Sequence, residues 1–157
     1  MDNQHISIHL IKQGEELPFS LLLLADETRE AIEKYIYSCE VYTARIPGEK
    51  EDVAVWALSP VNQEEIEIKN IAVKSEYQGK GLGGIIIRYL VSDLREKGYK
   101  AIWVGTGDAS FDQLRFYRRN GFSDADTIKN FFTENYPEPI FENGQQLRDM
   151  ILLKQNL

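Results

Sequence analysis

Glu76-Tyr77-Gln78-Gly79-Lys80-Gly81-Leu82-Gly83-Gly84 places four glycines within six positions, between one apolar segment and the next. Glycine inside a helix costs roughly 1 kcal/mol relative to alanine, so the run marks either a sharp turn or a close approach to the backbone. Upstream, Glu65 to Val73 reads as a strand. Downstream, Leu82, Ile85, Ile86, Tyr89, Leu90 and Leu94 recur at helical spacing, with Arg88, Asp93, Arg95 and Glu96 opposite and Gly98 as a stop. Strand, glycine loop and helix in that order build an anion site, because the free N–H groups and the positive dipole end of the helix face the loop.

The pattern decides which pyrophosphate the loop suits. A P-loop needs Gly-x-x-x-x-Gly-Lys-Ser/Thr, whereas Lys80 stands between glycines and no Ser or Thr follows it. A dinucleotide fingerprint follows the first strand, and several elements precede this loop. Gln78-Gly79-Lys80-Gly81-Leu82-Gly83 instead resembles the Gln/Arg-x-x-Gly-x-Gly/Ala acetyl-CoA loop of GNAT acyltransferases. Glu67-Ile68-Lys69-Asn70-Ile71-Ala72-Val73 resembles the fourth strand of that family. Phe116-Tyr117-Arg118-Arg119-Asn120-Gly121-Phe122 resembles its Phe-Tyr-x-x-x-Gly-Phe signature. Val104-Gly105-Thr106-Gly107, Glu142-Asn143-Gly144 and Arg148-Asp149-Met150 are similar to a subgroup of small bacterial GNAT proteins. The resemblance covers most of Glu64 to Leu153.

The flanking elements agree with that order. Ile6, Ile8 and Leu10 alternate with polar residues as a first strand, with His5 and His9 on its other face. Pro18 to Ala25 is predicted as a short helix, and Glu27 to Tyr37 as a second one capped by Asp26. Glu40–Ile46 and Val53–Leu58 are strands around the Pro47-Gly48-Glu49-Lys50 turn. Ala101–Val104 is a buried strand, Phe111–Asn120 a helix, Ile128–Tyr136 a helix broken by Pro137, and Met150–Leu153 a closing strand. The prediction is an α/β (α+β) fold with a mixed sheet and helices on its faces, as a single domain over residues 1–157. The resemblance makes it the GNAT fold, a mostly antiparallel sheet with splayed fourth and fifth strands.

Bulk properties narrow the partners. A net charge of -7 argues against nucleic acid and leans towards a cationic ligand. Cys39 is the single cysteine, so no internal disulfide or Cys-rich zinc site forms, and it reads as a small hydrophobe. The two histidines have no ligating partner nearby, so no metal is expected. The N-terminus lacks a signal-peptide pattern, and the apolar run Leu21 to Ala25 is too short to span a bilayer. The expectation is a cytoplasmic protein without membrane contact.

The resemblance also implies roles. GNAT enzymes move the acetyl group of acetyl-CoA to an amine by direct attack in a ternary complex. Backbone amides of Gln78, Gly79, Lys80, Gly81, Leu82, Gly83 and Gly84 would hold the pyrophosphate, assisted by the Gln78 and Lys80 side chains. Ile71, Ala72 and Val73 would flank the pantetheine, with the Val73 N–H polarising the thioester carbonyl. Tyr117 matches the family's usual general acid. Glu67 matches one position of a glutamate base, and its even offset from Val73 predicts that both lie on one strand face. The alternative for Glu67 is a surface residue paired with a lysine. Where the family often has a pantetheine-contacting asparagine this chain has Ser110, with Asp108 as a nearby substitute.

Two other classes stand beside the enzyme: a non-catalytic acyl-CoA-binding sensor, and a nucleotide-binding domain. For an enzyme, the acceptor is a small-molecule or peptide amine. Tyr35, Tyr37, Phe131, Phe132 and Tyr136 are candidate aromatic lining for it, with core packing as the other reading. Dimerisation is common in the family, which makes a homodimer one expected arrangement.

Overall fold

The computed structural model of the chain describes residues 6–157, so His5 lies outside the described residues. The alternating start becomes β1 (Ser7–Leu10), paired antiparallel with β2 (Glu40–Arg45). β3 (Ala54–Pro60) and β4 (Glu65–Val73) continue the antiparallel meander. The amphipathic helix α3 (Leu82–Glu96) then carries the chain back, so that β5 (Ala101–Gly107) runs parallel to β4. A parallel pair requires such a crossover. β9 (Met150–Asn156) inserts antiparallel between β5 and β6 (Ser123–Ile128), giving a seven-stranded sheet in the order β1-β2-β3-β4-β5-β9-β6.

Helices cover both faces. α3 and α4 (Phe111–Arg119) bury one face, where Trp56, Ile66, Ile86, Leu90 and Leu114 form the larger core. α1 (Phe19–Leu22) and α2 (Arg29–Glu33) cover the other, where Leu22 and Ile32 pack on Val55, Ala57 and Ala72. Each such aliphatic side chain, fully buried, contributes about 1.5–3 kcal/mol. No described helix is long and apolar enough to cross a membrane.

Two irregularities in β4 shape the site. Ala57 pairs with Asn70 but Leu58 pairs with Ile68, so Lys69 is the extra residue of a β-bulge. The bulge reverses the alternation. Ile66 and Ile68 face α3, and beyond Lys69 it is Ile71 and Val73 that do so, while Ala72 belongs to the opposite core. Glu67 therefore lies on the α1–α2 face with Asn70 and Ala72, and the expectation that Glu67 and Val73 share a face is overturned. The second irregularity is a fork. β4 and β5 pair only from Glu65↔Ala101 to Ile68↔Val104, after which they part, while β5 stays paired with β9 along its full length.

Several predicted boundaries move. Thr28, not Asp26, caps α2: its Oγ1 accepts from the Ala31 N–H at 3.1 Å, and a 3-10 turn over Ile36–Ser38 replaces the last predicted helical turn. The helix expected over Ile128–Tyr136 is split. Ile128 ends β6, Asn130 turns the chain with φ 57, and α5 covers only Phe131–Asn135. Every residue of β6 is exposed, because β9 is its one sheet neighbour, and so it has no apolar alternation to read. A small hairpin of β7 (Phe141–Glu142) and β8 (Gln145–Gln146) forms around Asn143-Gly144, both at positive φ.

Candidate active site

The fork leaves the second half of β4 without a strand neighbour on one side. The Lys74 N–H donates to the Val53 carbonyl, next to β3, at 2.8 Å. Backbone groups alternate along a strand, so the Val73 N–H points away from β3 and into the fork. The Val73 carbonyl accepts from Gln78 Nε2 at 2.8 Å, which ties the loop to the strand end. A cleft of about 330 Å³ opens here, with Ile71, Ala72 and Val73 on one wall and Thr106, Ser110 and Tyr117 on the other.

The glycines beside it divide into two pairs. Gly79 (φ 73) and Gly81 (φ 85) take backbone conformations that other residues resist, and a Cβ on either would meet open space. Gly83 and Gly84 lie inside α3. A Cβ on Gly83 would approach the Phe116 ring at 2.9 Å, and one on Gly84 would reach Asn120 Oδ1 at 3.3 Å. That second pair exists to seat α3 on α4. The N-terminus of α3 has Gly81 as its cap, no side-chain cap and no acidic residue in its first turn. A fifteen-residue helix therefore presents free N–H groups and its positive end with no acidic residue in its own first turn to answer them. Lys80 Nζ stands 5.8 Å over the Tyr77 ring, and the Leu82 side chain is core, leaving only its backbone for a ligand.

The remaining predicted residues fall in different places. Tyr117 is buried on α4 and lines the cleft, and burial pushes its phenol well above the usual tyrosine range. Ser110 Oγ donates to Glu142 Oε2 at 2.6 Å, on the cleft wall. The Asp108 carboxylate accepts from the backbone N–H groups of Arg148 (3.1 Å) and Asp149 (3.2 Å). It ties the entry of β9 to β5, and Asp108 is not among the cleft-lining residues. Glu67 pairs with Lys69 Nζ at 3.2 Å and lines a second cavity. Burial pushes the Cys39 thiol up to about 11, so it is neutral and no nucleophile at ordinary pH. His9 pairs with the exposed Glu15 at 3.0 Å.

The second cavity, about 550 Å³, adjoins the fork on the α1–α2 face. Tyr35 and Tyr136 roof it from two distant segments, with Phe131 between them and Trp103, Met150 and Leu152 on its floor. Trp103 Nε1 donates to Glu65 Oε1 at 2.6 Å, which fixes the indole. Tyr37 is 67% exposed and, like Phe132, is not part of this lining. The residue that sequence reading missed is Asp26, which borders both cavities. Its signal was the neighbouring Thr28, a second capping oxygen nearer the helix that frees Asp26 for another task.

A family model described as the acetyltransferase (GNAT) family matches residues 15–122. The chain belongs to the GNAT family of acetyltransferases. A Bacillus subtilis (strain 168) protein named uncharacterized N-acetyltransferase YvbK is 35% identical over 157 residues, covering 100% of both chains. The crystal structure of a GNAT family acetyltransferase from Elizabethkingia anophelis with acetyl-CoA bound superposes at TM-score 0.91, with 43% identity and 100% of both chains covered. The Escherichia coli (strain K12) ribosomal protein bS18-alanine N-acetyltransferase is 28% identical over 80 residues, 51% of this chain and 54% of its own. This chain is accordingly an acetyl-CoA-dependent N-acetyltransferase with the GNAT fold, and the nucleotide-binding alternative falls away. The uncapped α3 terminus, the open space at Gly79 and Gly81, and the Val73 N–H directed into the fork all fit that donor.

Proposed function

We propose that this GNAT domain, residues 1–157, acetylates a primary amine of a small molecule or peptide by direct attack in a ternary complex at the fork of β4 and β5. The observation that carries the reading is the Val73 N–H, aimed into a cleft whose other wall holds Tyr117. Acetyl-CoA supplies an activated acyl group: the amine nitrogen bonds to its carbonyl carbon as the C–S bond breaks, one proton leaves the nitrogen and one joins the sulfur. Backbone amides from Gln78 to Gly84 bind its pyrophosphate at the start of α3, with Gln78 and Lys80 in support. The Val73 N–H donates to the carbonyl oxygen, where negative charge grows during attack.

Tyr117 holds the proton that the sulfur needs. Burial raises its phenol, and the same low-dielectric cleft raises a thiol there, so transfer between them stays feasible. Glu67 borders the cavity that receives the amine, and it takes the amine proton through water. Ser110, held by Glu142, shapes the pantetheine wall, while Asp108 supports it from behind. The bS18 enzyme supports an amine acceptor by its name. We place the enzyme in the cytoplasm, with a homodimer as the family's common form.

Two substitutions test the assignment. Tyr117→Phe lowers kcat by about 10²-fold with the acetyl-CoA KM unchanged. Glu67→Gln lowers kcat with little change in acceptor KM. Full turnover by Tyr117→Phe near neutral pH removes Tyr117 from the acid role.

A further inference from the structure

Asp26, Ile68, Lys69 and Gly105 border both cavities, so the fork and the second cavity share one wall, at the point where β4 and β5 part. Two of these four carry charge. Lys69 is paired with Glu67, which leaves Asp26 as the charge at the wall without an opposite partner among the described ion pairs.

Asp26 is held from three directions. The Tyr136 O–H (2.7 Å) and the Glu27 N–H (2.7 Å) donate to Oδ1, and the Tyr35 O–H donates to Oδ2 at 3.0 Å. The Tyr35 oxygen in turn accepts from Asn70 Nδ2 at 3.1 Å, and the same amide donates to the Leu22 carbonyl at 3.0 Å. Burial pushes both phenols far up, so both remain donors at any ordinary pH. A carboxylate offers about four lone-pair sites, which leaves Oδ2 one free. Asn70 holds the network from β4. It is 5% exposed, it lines the fork, and its Oδ1 has no hydrogen-bond partner among the described residues.

The network thus offers one open acceptor, the free Oδ2 position of Asp26, at the wall between the donor's cleft and the acceptor's cavity, while Asn70 lines the fork alone and its Oδ1 is closed off from solvent. A neutral primary amine has two N–H donors and one lone pair. Donating one hydrogen to Asp26 Oδ2 fixes the nitrogen at the wall and leaves its lone pair free for attack. Behind that wall one side of the cavity is apolar and aromatic, with Trp103, Phe131, Ile128, Met150 and Leu152, while Lys34, Glu65, Glu67 and Asp126 stand around its rim. We propose that Asp26, held in place by Tyr35, Asn70 and Tyr136, binds and orients the attacking amine, and that the acceptor is a primary amine carried on an aromatic or similarly bulky apolar body. The Asp26–Tyr136 hydrogen bond, across 110 positions of sequence, joins the two segments that roof the cavity. This inference deepens the proposed function and rests on the fork as the transfer site.

Phenethylamine is the probe. Initial rates of CoA release and calorimetric CoA affinity are measured for the wild type, Asp26→Asn and Tyr136→Phe. The wild type acetylates phenethylamine. Asp26→Asn raises its KM about tenfold or more, as expected for a lost charge-assisted hydrogen bond, with CoA affinity unchanged. Tyr136→Phe raises the same KM severalfold. Phenethylamine left unacetylated by a wild type that binds CoA overturns the proposal, as does a wild-type KM in Asp26→Asn. If Asp26→Asn loses CoA affinity through misfolding, Tyr136→Phe decides, and an unchanged KM there overturns the proposal. A wild type that binds no CoA contradicts the fork as the donor site instead.

Discussion

Gly81 and Gly83 sit two residues apart in one motif, yet they answer to different forces. At Gly81 the constraint is φ 85, a left-handed conformation that costs an L-residue roughly 1–2 kcal/mol. At Gly83 it is the Phe116 ring, which a Cβ would meet at 2.9 Å. Gly83→Ala is expected to lower stability by about 1–3 kcal/mol through overpacking, seen as a lower Tm, with acetyl-CoA affinity nearly intact. Gly81→Ala distorts the loop that presents the helix amides, so acetyl-CoA affinity falls, measured by titration calorimetry. Tyr117 carries a pH prediction. Its phenol is raised, so it stays protonated past its usual pKa of about 10. Acceptor kcat/KM should climb from pH 7 to 9 as the amine deprotonates, with no alkaline loss from Tyr117, in a steady-state pH profile. The motif residues were readable because each couples a residue type to a fixed spacing. The hold on Asp108 was not readable, because its carboxylate is taken by two amides some forty positions away, a contact no local pattern encodes.

At the scale of elements, β4 does most to set the chemistry. Its hydrophobic alternation was plain, and so was its place before the glycine loop. Its bulge was hidden, because Ile66, Ile68, Asn70 and Ala72 keep a regular two-residue rhythm of burial straight through it. The rhythm survives because the two halves of the strand bury their residues in different cores. Glu67 and Val73 were thereby assigned one face when they occupy two. The start of α2 shows the same limit on a smaller scale, since Asp26 and Thr28 are both good caps. Thr28→Ala should lower global stability by about 1 kcal/mol in thermal denaturation, the usual value of a lost N-cap. Asp26→Ala acts on the acceptor site without removing that cap.

Across the whole molecule, a mixed sheet with helices on its faces followed from the order of elements, because a parallel pair needs a helical crossover and an antiparallel meander needs only short turns, and the GNAT architecture followed from the resemblance of the motifs, while the strand order, with β9 between β5 and β6, came from the structure alone. The meeting of two cavities at the fork could not be read that way. It depends on Asp26, Asn70 and Tyr136 converging from three separate segments. The acidic net charge agrees with a cationic acceptor and does little to choose one. Direct transfer between those cavities is the central claim, and the neutral Cys39 thiol leaves no cysteine to carry the acetyl group between them. The measurement that tests it is a two-substrate initial-rate study, varying acetyl-CoA at several fixed phenethylamine concentrations. Intersecting double-reciprocal lines are predicted, because both ligands must be bound before the acetyl group moves. Parallel lines, the sign of an acetyl-enzyme formed before the amine binds, would contradict it.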